Sequence, residues 1–467
     1  MITEGIFKAN DIRGAVPDQW DEQGAAAVGA AFVELAGLEG KSFVMGRDMR
    51  LRGWDMSRAF AAGAASRGAH VLDTGLASTD QLWFASGSLD LPGVQFSASH
   101  NPARDNGIKF CRAGARPVES DFLARLRERA VQIEDESAGG MPTTPRDGDI
   151  DEVDTLTDYA NYLHQLVPLE GLRRLKVVID AGNGMAGHTV GPVLGGANLD
   201  IIPLFLDLDG SFPNHQPNPL EPQNLVDAQA AVRDHGADLA LVFDGDADRC
   251  FIIDERGVVV SPSAITALIA KAELDREPGG VIVINTITSG TVADVVAEAG
   301  GTTVTSRVGH TFVKALMAEH DAVFGGEHSA HYYFREFWGA DTGMLAALHV
   351  LRILGRQDRP LSELMHDYER YAASGEINSQ VADAGAVMEK VDAAFIGRGE
   401  ADFTDGLTVR GQDPQGGLWW FNLRPSNTEP YLRLNVEAAD PQVMTAVRDD
   451  VLDLVRENSD KPTPTER

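Results

Sequence analysis

The sequence has few cysteines, no long apolar run and no excess of positive charge, and each absence excludes a class of protein. Cys111 and Cys250 are its only cysteines, so a disulfide framework is excluded and a cytoplasmic location is expected. No apolar run is long enough to span a bilayer, and the N-terminus lacks the pattern of a signal peptide. The formal net charge of −30 disfavours nucleic acid and anionic membranes, so we expect neither as a partner.

Positive charge is informative in so acidic a chain. If the substrate is a phosphate, its cleft must be locally positive within a negative protein. Lysine is scarce, yet Lys109 stands in the segment Gly107-Ile108-Lys109-Phe110. Arg13 and Arg47 occur early, and their default interpretation is surface arginines paired with acids.

A strand–turn–helix–strand pattern occurs three times, and 467 residues predict two to four domains. Each pattern continues to a later strand that ends in a polar loop, where open α/β sheets bind ligands. The last hundred residues instead suggest antiparallel strands and a closing helix. We therefore predict an α/β protein with three repeated mixed-sheet α/β domains plus a C-terminal α+β domain around a central cleft. The predicted domains are 1–152, 153–258, 259–372 and 373–467.

Ser99 is the candidate nucleophile. It follows the strand candidate Gly93–Phe96 within Ser97-Ala98-Ser99-His100-Asn101-Pro102, where Pro102 stiffens the turn. A turn or capping serine is the simpler interpretation of this residue alone. The other polar loops decide between the two.

Asp244, Asp246 and Asp248 alternate in the loop after the strand Leu239–Phe243. Alternate side chains of an extended loop point the same way, which predicts a site for a hard divalent cation, most simply Mg²⁺. An EF-hand is excluded because Arg249 replaces the required glycine and the flanks are strands. A solvated acidic turn is the remaining alternative.

The segment Gly182-Asn183-Gly184-Met185-Ala186-Gly187 matches the dinucleotide fingerprint between a strand and a helix. Asp207 and Asp209 lie near the position of a ribose-binding acid. Strand-to-helix turns also need glycine for steric reasons, and the other loops favour phosphoryl transfer over hydride transfer.

Two further loops carry groups suited to a sugar phosphate. Glu327, Ser329 and His331 alternate after two glycines and suit neighbouring sugar hydroxyls, or they form a polar turn. Arg307 and His310 add basic groups nearby in sequence. The segment from Arg424 through Ser426, Asn427 and Thr428 combines a guanidinium with hydroxyls and backbone N–H groups, which favours phosphate binding over a plain hairpin turn.

Together, the loops Ser97–Pro102, Asp244–Arg249, Gly326–His331 and Arg424–Pro430 resemble the α-D-phosphohexomutase family over almost the whole chain. The last of these loops, Arg424–Pro430 with asparagine at position 427, resembles that of the bacterial phosphomannomutase/phosphoglucomutase branch. The resemblance implies a phosphoserine enzyme with Mg²⁺ that interconverts hexose 1-phosphate and hexose 6-phosphate, of mannose, glucose or both, through a 1,6-bisphosphate. Its partners would be hexose phosphates and the hexose 1,6-bisphosphate, and we expect a monomer or weak homodimer.

The resemblance also implies a role for each loop residue. The implied catalytic residues are Ser99, Lys109, His310 and Arg249, and the metal ligands are Asp244, Asp246, Asp248 and phosphorylated Ser99. The implied substrate-binding residues are Arg13, Glu327, Ser329, His331, Arg424, Ser426, Asn427 and Thr428. Of these, Glu327 and Ser329 would hold sugar O3 and O4, and the Arg424 loop would hold the phosphate that does not react.

The chain departs from the family pattern in two places. Asn10 stands where tyrosine often precedes Asp-Ile-Arg-Gly, and the segment Asn285-Thr286-Ile287-Thr288 stands where some members have a lysine. Phosphoglucosamine mutase, a phosphatase and a non-catalytic sugar-phosphate-binding protein are the alternatives. Phosphoglucosamine mutases usually have Gly at the position of Asn427 and Gln at that of His328.

Overall fold

The computed structural model describes residues 2–137, 140–146, 149–426 and 431–456. These residues form two compact units. The first contains the described residues of Met1–Pro262, Met317–Phe324 and Ser329–Leu364, and the second those of Ser263–Leu316, Gly325–His328 and Met365–Arg467. Within the described ranges, every helix is too short or too polar to cross a membrane.

The N-terminal part of the first unit is built on a seven-stranded mixed sheet in the order β1-β5-β4-β2-β3-β7, with β6 paired to β5. Strand β2 runs parallel to β3 and β4, whereas β5 is antiparallel to β4 and β1. Its elements are β1 (Ile12–Ala15), α1 (Glu22–Ala36), β2 (Ser42–Arg47), α2 (Gly53–Ala65), β3 (His70–Leu76), α3 (Thr79–Leu89), β4 (Gly93–Phe96), β5 (Asp105–Arg112), β6 (Arg116–Pro117), α4 (Phe122–Glu136) and β7 (Ile150–Glu152).

Small residues bring α1 and α2 unusually close on this sheet. A Cβ atom at Gly29 would lie 2.1 Å from the carbonyl oxygen of Phe60, and one at Gly63 would lie 1.9 Å from that of Ala26. The Phe60 ring then packs edge-on against Phe96, with 5.5 Å between ring centroids. This packing fixes the end of β4, from which the Ser99 loop departs.

The next part of the first unit contains a four-stranded sheet in the order β11-β10-β8-β9. Strands β8, β9 and β10 are parallel, and β11 is antiparallel to β10. Strand β10 is wholly buried and ends where the acidic loop begins. The elements are α5 (Leu156–Leu166), β8 (Leu175–Asp180), α6 (Ala186–Leu194), β9 (Leu199–Leu204), α7 (Val226–His235), β10 (Leu239–Phe243) and β11 (Cys250–Asp254).

The next segment of the chain contributes elements to both units. In the second unit β12 and β13 pair in parallel, and in the first unit β15 and β16 pair antiparallel. The elements are α8 (Pro262–Arg276), β12 (Val281–Asn285), α9 (Gly290–Glu298), β13 (Thr302–Ser306), α10 (His310–Glu319), β14 (Phe324–Gly326), β15 (Tyr332–Phe334), β16 (Ala340–Asp341), α11 (Gly343–Gly355) and α12 (Leu361–Met365). Short 3-10 helices cover Glu4–Ile6, Pro222–Leu225 and Arg335–Phe337.

One strand of this segment starts later than its sequence suggests. The pattern Ala322–Phe324 predicts a strand, but β14 begins at Phe324. The N–H of Ala322 donates to the carbonyl of Met317, and Asp321 has a φ of 47°. The chain is therefore still turning out of α10 at Ala322.

The C-terminal part of the second unit is a six-stranded antiparallel sheet in the order β17-β22-β21-β20-β19, with β18 paired to β22. The elements are β17 (Ala372–Ala373), β18 (Ile377–Gln380), α13 (Ala384–Phe395), β19 (Gly399–Asp402), β20 (Leu407–Gln412), β21 (Leu418–Pro425), β22 (Tyr431–Ala438) and α14 (Pro441–Arg456). Mixed sheets followed by this antiparallel sheet confirm the predicted α/β class.

Candidate active site

Ser99 lies in a strained turn directly after β4. Its φ of 50° is in the left-handed region, which a non-glycine residue adopts only when its surroundings enforce it. The Ser99 N–H donates to the hydroxyl of Ser97 over 2.8 Å. A Cβ atom at Gly245 would lie 2.4 Å from the Ser99 carbonyl oxygen, so glycine is required where the acidic loop crosses this turn. The turn thus presents the Ser99 hydroxyl in one fixed position.

The side chain of Arg50 binds the backbone of this turn. Its guanidinium donates to four carbonyl oxygens, those of Ser99 (2.6 Å), Asn101 (2.8 Å), Pro102 (2.9 Å) and Asp105 (2.8 Å). The side chain is buried, and its Nε lies 3.3 Å from a carboxylate oxygen of Asp48. Arg50 could not be identified from the sequence alone, because its contacts join segments about fifty positions apart.

Three buried carboxylates converge beside the Ser99 hydroxyl. Ser99 Oγ donates to Asp244 Oδ2 over 2.7 Å. The candidate ligand atoms of Asp244, Asp246 and Asp248 all lie within 4.8 Å of one another. The structure therefore brings together the three aspartates and the serine that the sequence predicts.

The donor set fits a hard divalent cation. Hydrogen bonds from Thr79 (2.6 Å), Ser97 (3.0 Å) and Lys109 (2.7 Å) all reach Oδ2 of Asp246. Among the described residues, no hydrogen-bond donor reaches Oδ1 of Asp246 or Oδ1 of Asp248, although both atoms are buried. Buried carboxylate oxygens without a donor are costly unless they coordinate a metal. The acidic triad is thus a group that can bind a metal ion.

Lys109 is a buried cation that pairs with two of the three aspartates. Its Nζ donates to Asp246 over 2.7 Å and to Asp248 over 2.5 Å. Burial alone would lower the pKa of Lys109, but the two carboxylates outweigh burial and raise it well above its usual range. Burial would likewise raise the pKa of Asp246, and Lys109 reverses that effect and lowers it. Both groups stay ionised.

Arg249 and His100 complete the polar surroundings of the serine. Arg249 donates to Asp244 through Nε (3.0 Å) and Nη2 (2.8 Å), and Nη2 also lies 3.2 Å from Ser99 Oγ. Burial, together with Arg249 and Arg13, lowers the pKa of His100, so its neutral Nδ1 accepts from Arg249 over 2.5 Å. Burial raises the pKa of Asp244 to about 7 against the opposing effect of Arg249.

Arg13 is tied to the same turn. It pairs with Asp11 over 2.7 Å and donates to the Asn101 side chain over 3.0 Å. Its default interpretation as a surface arginine paired with an acid therefore describes only part of its contacts.

Ser329 and His331 lie in the first unit with these groups. The Ser329 hydroxyl and His331 Nδ1 are 2.9 Å apart, and His331 Nε2 is 3.7 Å from Asp248 Oδ1. Burial lowers the pKa of His331 to about 4, which keeps the imidazole neutral. His331 thus lies beside the acidic triad, and Ser329 contacts His331.

The second unit holds the remaining described candidates. Glu327 accepts from the Asn285 side chain (3.2 Å) and from the N–H of Gly309 (3.1 Å), and the next residue, His310, begins α10. Asn285, which stands in the segment where some relatives have a lysine, thus holds Glu327. Ser263 contacts His328, with 3.1 Å between Oγ and Nδ1.

The phosphate-loop candidates begin at the end of β21. Arg424 is buried, and its guanidinium lies 3.5 Å from Glu376. Burial lowers the pKa of Arg424 against the opposing charge of Glu376. The N–H of Ser426 donates to the carbonyl of Tyr431 over 2.8 Å. Asn427 and Thr428 lie outside the described residues.

Two glycines of the dinucleotide-like segment are required by close backbone contacts, one of them with the acidic loop. A Cβ atom at Gly184 would lie 2.6 Å from the carbonyl oxygen of Gly245, and one at Gly187 would lie 2.0 Å from that of Leu206. The N–H of Met185 donates to the Gly245 carbonyl over 2.9 Å. Close backbone packing therefore explains this motif.

Thr79 also contacts the acidic triad and was not identified from the sequence. It begins α3 after Ser78, which caps the helix by accepting from the N–H of Gln81 over 3.2 Å. A serine three residues before a glutamine, ahead of an apolar stretch, is a helix-start signal. That signal does not show which loop the end of the helix would contact.

Comparisons with known proteins show which family the whole chain resembles. The family models for phosphoglucomutase/phosphomannomutase match residues 4–137 (alpha/beta/alpha domain I), 157–257 (domain II), 261–371 (domain III) and 376–454 (C-terminal domain). A phosphomannomutase of Escherichia coli K12 is 39% identical over 460 residues, which cover 97% of this chain and 99% of that protein. A protein of Xanthomonas campestris named phosphohexose mutases is 38% identical over 451 residues, covering 96% and 98%. The crystal structure of a phosphoglucomutase/phosphomannomutase family protein from Burkholderia thailandensis superposes with a TM-score of 0.88 at 30% identity, covering 99% of each chain.

Proposed function

The chain belongs to the phosphoglucomutase/phosphomannomutase family, and on that premise we propose that it interconverts hexose 1-phosphates and hexose 6-phosphates of mannose, glucose or both. The observation that carries the proposal is the Ser99 hydroxyl, held 2.7 Å from Asp244 and 3.2 Å from Arg249 in a strained turn. A carrier of a phosphoryl group needs such a fixed oxygen with cations beside it.

The proposed reaction moves one phosphoryl group in each half. A sugar hydroxyl attacks the phosphorus of phosphorylated Ser99, the bond from phosphorus to Ser99 Oγ breaks, and the hydroxyl proton passes to the departing Ser99 Oγ, which gives a hexose 1,6-bisphosphate and unphosphorylated Ser99. After the bisphosphate reorients, Ser99 Oγ attacks its other phosphorus, the bond from that phosphorus to the sugar oxygen breaks, and the Ser99 proton passes to the sugar oxygen. This restores phosphorylated Ser99 and releases the isomeric hexose monophosphate. Lys109 and His310 are the proposed groups for charge stabilisation and proton movement. Asp246 and Asp248 keep Lys109 protonated, so we assign charge stabilisation of the phosphoryl group to Lys109.

We assign Mg²⁺ to the acidic triad, where Asp244, Asp246 and Asp248 would hold it with an oxygen of phosphorylated Ser99. When bound, Mg²⁺ neutralises charge on the phosphoryl group. Arg249 would stabilise the charge that develops at Ser99, because its Nη2 lies 3.2 Å from Ser99 Oγ and 2.8 Å from Asp244 Oδ2.

The sugar is bound by groups that tolerate its two orientations. Glu327 and Ser329 would hold the equatorial O3 and O4, which nearly superpose after the bisphosphate turns over, and Arg13 and His331 would contribute further contacts. Because C2 need not be contacted, glucose and mannose phosphates both serve. The phosphate that does not react would be held by the Arg424 loop, through Arg424, Ser426, Asn427 and Thr428.

Intact-mass analysis tests the proposal. The purified protein is measured before and after incubation with glucose 1,6-bisphosphate, followed by peptide mapping. A stable gain of one phosphoryl group on the Ser99 peptide, with mutase turnover, supports the proposal. A phosphoryl group that drains to water indicates a phosphatase, and no labelling at all indicates a binding protein. Cys111 and Cys250 are buried and not joined in a disulfide, which supports a cytoplasmic location. A monomer or weak homodimer stays our prediction.

A further inference from the structure

Asp80 is a buried carboxylate outside the acidic triad, and it accepts hydrogen bonds from three hydroxyl groups. Ser78 Oγ donates to its Oδ1 over 2.5 Å, whereas Tyr159 Oη and Thr342 Oγ1 both donate to Oδ2 over 2.7 Å. Asp80, Tyr159 and Thr342 are fully buried. Tyr159 is in α5, and Thr342 precedes α11, so one carboxylate joins the start of α3 to two distant elements.

The residue before Asp80 holds a proposed metal ligand. Thr79 Oγ1 donates to Asp246 Oδ2 over 2.6 Å, and the Thr79 N–H donates to the Asp246 carbonyl over 3.0 Å. The first turn of α3 therefore fixes both the backbone and the side chain of Asp246.

The residue after Thr342 packs on the other end of the same loop. A Cβ atom at Gly343 would lie 2.7 Å from the carbonyl carbon of Arg249 and 3.0 Å from the carbonyl oxygen of Ala247, so only glycine fits here. Thr342 also caps α11 by accepting from the N–H of Leu345 over 3.1 Å. The N-termini of α3 and α11 thus both lie against the acidic loop, where their partial positive charge is favourable.

We propose that Asp80 is a positioning residue for phosphoryl transfer, because it links the N-terminus of α3 to that of α11 and so fixes the loop from Asp244 to Arg249 from both sides. This inference rests on the proposed function only in that the loop from Asp244 to Arg249 is taken to serve phosphoryl transfer. The loop's affinity for a divalent cation is a property that is measured without sugar.

Two hydroxyl donors to the same oxygen of Asp80 provide a matched pair of variants. Thr342→Val removes the hydroxyl that ties Asp80 to the residue before Gly343, which packs on the acidic loop. Tyr159→Phe removes a hydroxyl that donates to the same oxygen over the same distance but belongs to α5. Thr342→Ser restores both the donor and the cap, so it serves as the rescue variant. Asp80→Asn removes the anionic acceptor itself.

The measurements are Mg²⁺ and Mn²⁺ affinity by calorimetry on unphosphorylated protein, kcat and KM, and the thermal unfolding midpoint in chelator. We expect Thr342→Val and Asp80→Asn each to weaken metal binding by about tenfold or more, as outer-shell partners of metal sites do. They lower kcat more than they raise KM. Tyr159→Phe lowers the unfolding midpoint but leaves metal affinity unchanged, and Thr342→Ser behaves like wild type. The double variant Asp80→Asn/Thr342→Val binds metal no more weakly than the worse single variant, because both break one link.

Unchanged metal affinity in both Asp80→Asn and Thr342→Val, with lowered midpoints, would overturn the inference and leave Asp80 a purely stabilising residue. An equal loss of affinity in Tyr159→Phe would overturn it as well, since the effect would not run through α11. If Asp80→Asn does not fold, the comparison of Thr342→Val, Thr342→Ser and Tyr159→Phe decides. Wild-type protein that binds metal but lacks mutase turnover would reject the proposed function alone, whereas wild-type protein that binds no metal would reject this inference.

Discussion

The guanidinium of Arg50 donates a hydrogen bond of 2.6 Å to the carbonyl oxygen of Ser99, the residue proposed to carry the phosphoryl group. The same guanidinium donates to three further backbone carbonyls, those of Asn101, Pro102 and Asp105. One planar side chain thus satisfies four carbonyl oxygens. The positive φ of Ser99 is thereby maintained by contacts to the backbone rather than by the serine side chain.

Arg50→Lys should therefore impair catalysis without removing any group that touches the substrate. One ammonium cannot reach four carbonyls, so Ser99 loses its fixed position, and a displacement of this kind costs on the order of 100-fold in kcat. The check is kcat together with the rate of Ser99 phosphorylation by glucose 1,6-bisphosphate. Arg52→Lys, at a nearby half-exposed arginine, is the matched control. Equal kcat values for the two variants would contradict the role of Arg50.

Ser99→Ala should abolish mutase turnover and leave the fold intact, because only the carrier oxygen is removed. Ser97→Ala is the control, since Ser97 contacts the Ser99 N–H and Asp246 but carries no phosphoryl group. We expect it to accept label from glucose 1,6-bisphosphate at Ser99. Residual turnover of Ser99→Ala above about a tenth of wild type, a barrier change of only ~1.4 kcal/mol, would show that Ser99 is not the carrier.

The sequence predicts those parts of the site that are contiguous in the chain. The buried strand Leu239–Phe243 and the alternating aspartates after it are visible as a pattern, and the structure reproduces the strand bounds. Ser99 and the glycine turn are visible for the same reason. Each depends on local periodicity and turn chemistry, which sequence carries directly.

Contacts between distant segments could not be predicted in this way. Thr79 meets Asp246 across 167 positions, and Arg50 meets Ser99 across 49. Nothing in the local pattern of α3 shows which loop its N-terminus will contact, because that depends on how whole sheets pack. The division into four domains also depends on contacts between distant segments, and it stays a prediction.

Removal of the divalent cation should inactivate the enzyme reversibly. EDTA is expected to abolish turnover and added Mg²⁺ to restore it. Asp246→Asn should raise the Mg²⁺ concentration needed for half-maximal activity by more than about 100-fold, beyond the loss typical of an outer-shell partner. Asp209→Asn, in an exposed turn, is the control. Full activity in chelator would remove the metal from the mechanism.

His215 should make stability depend on pH. Its Nε2 lies 3.2 and 3.1 Å from the two carboxylate oxygens of Asp180, and although burial lowers the pKa of His215, Asp180 outweighs burial and raises it above the usual 6.5. The stabilisation is therefore fully present below the unfolded-state pKa and is lost as pH rises through the folded-state pKa. Relative to His215→Gln, wild type should gain more unfolding free energy at about pH 6 than at about pH 9. Denaturant unfolding at the two pH values measures this, with His235→Gln as an exposed control, and a constant difference would refute the ion pair.

The sugar preference tests how Glu327 and Ser329 are used. We expect comparable kcat/KM for mannose 1-phosphate and glucose 1-phosphate, because inversion at C2 leaves O3 and O4 in place. Glucosamine 1-phosphate should be much poorer, since an ammonium at C2 needs a partner that a site built for both orientations does not supply, and an unpaired buried charge costs on the order of a few kcal/mol. The three sugars are compared side by side, each with its matching 1,6-bisphosphate as activator. Asn285→Ala, which removes the amide 3.2 Å from Glu327, should lower kcat/KM for mannose and glucose phosphates equally. Glucosamine 1-phosphate as the best substrate would overturn the branch assignment and leave the phosphoserine chemistry standing.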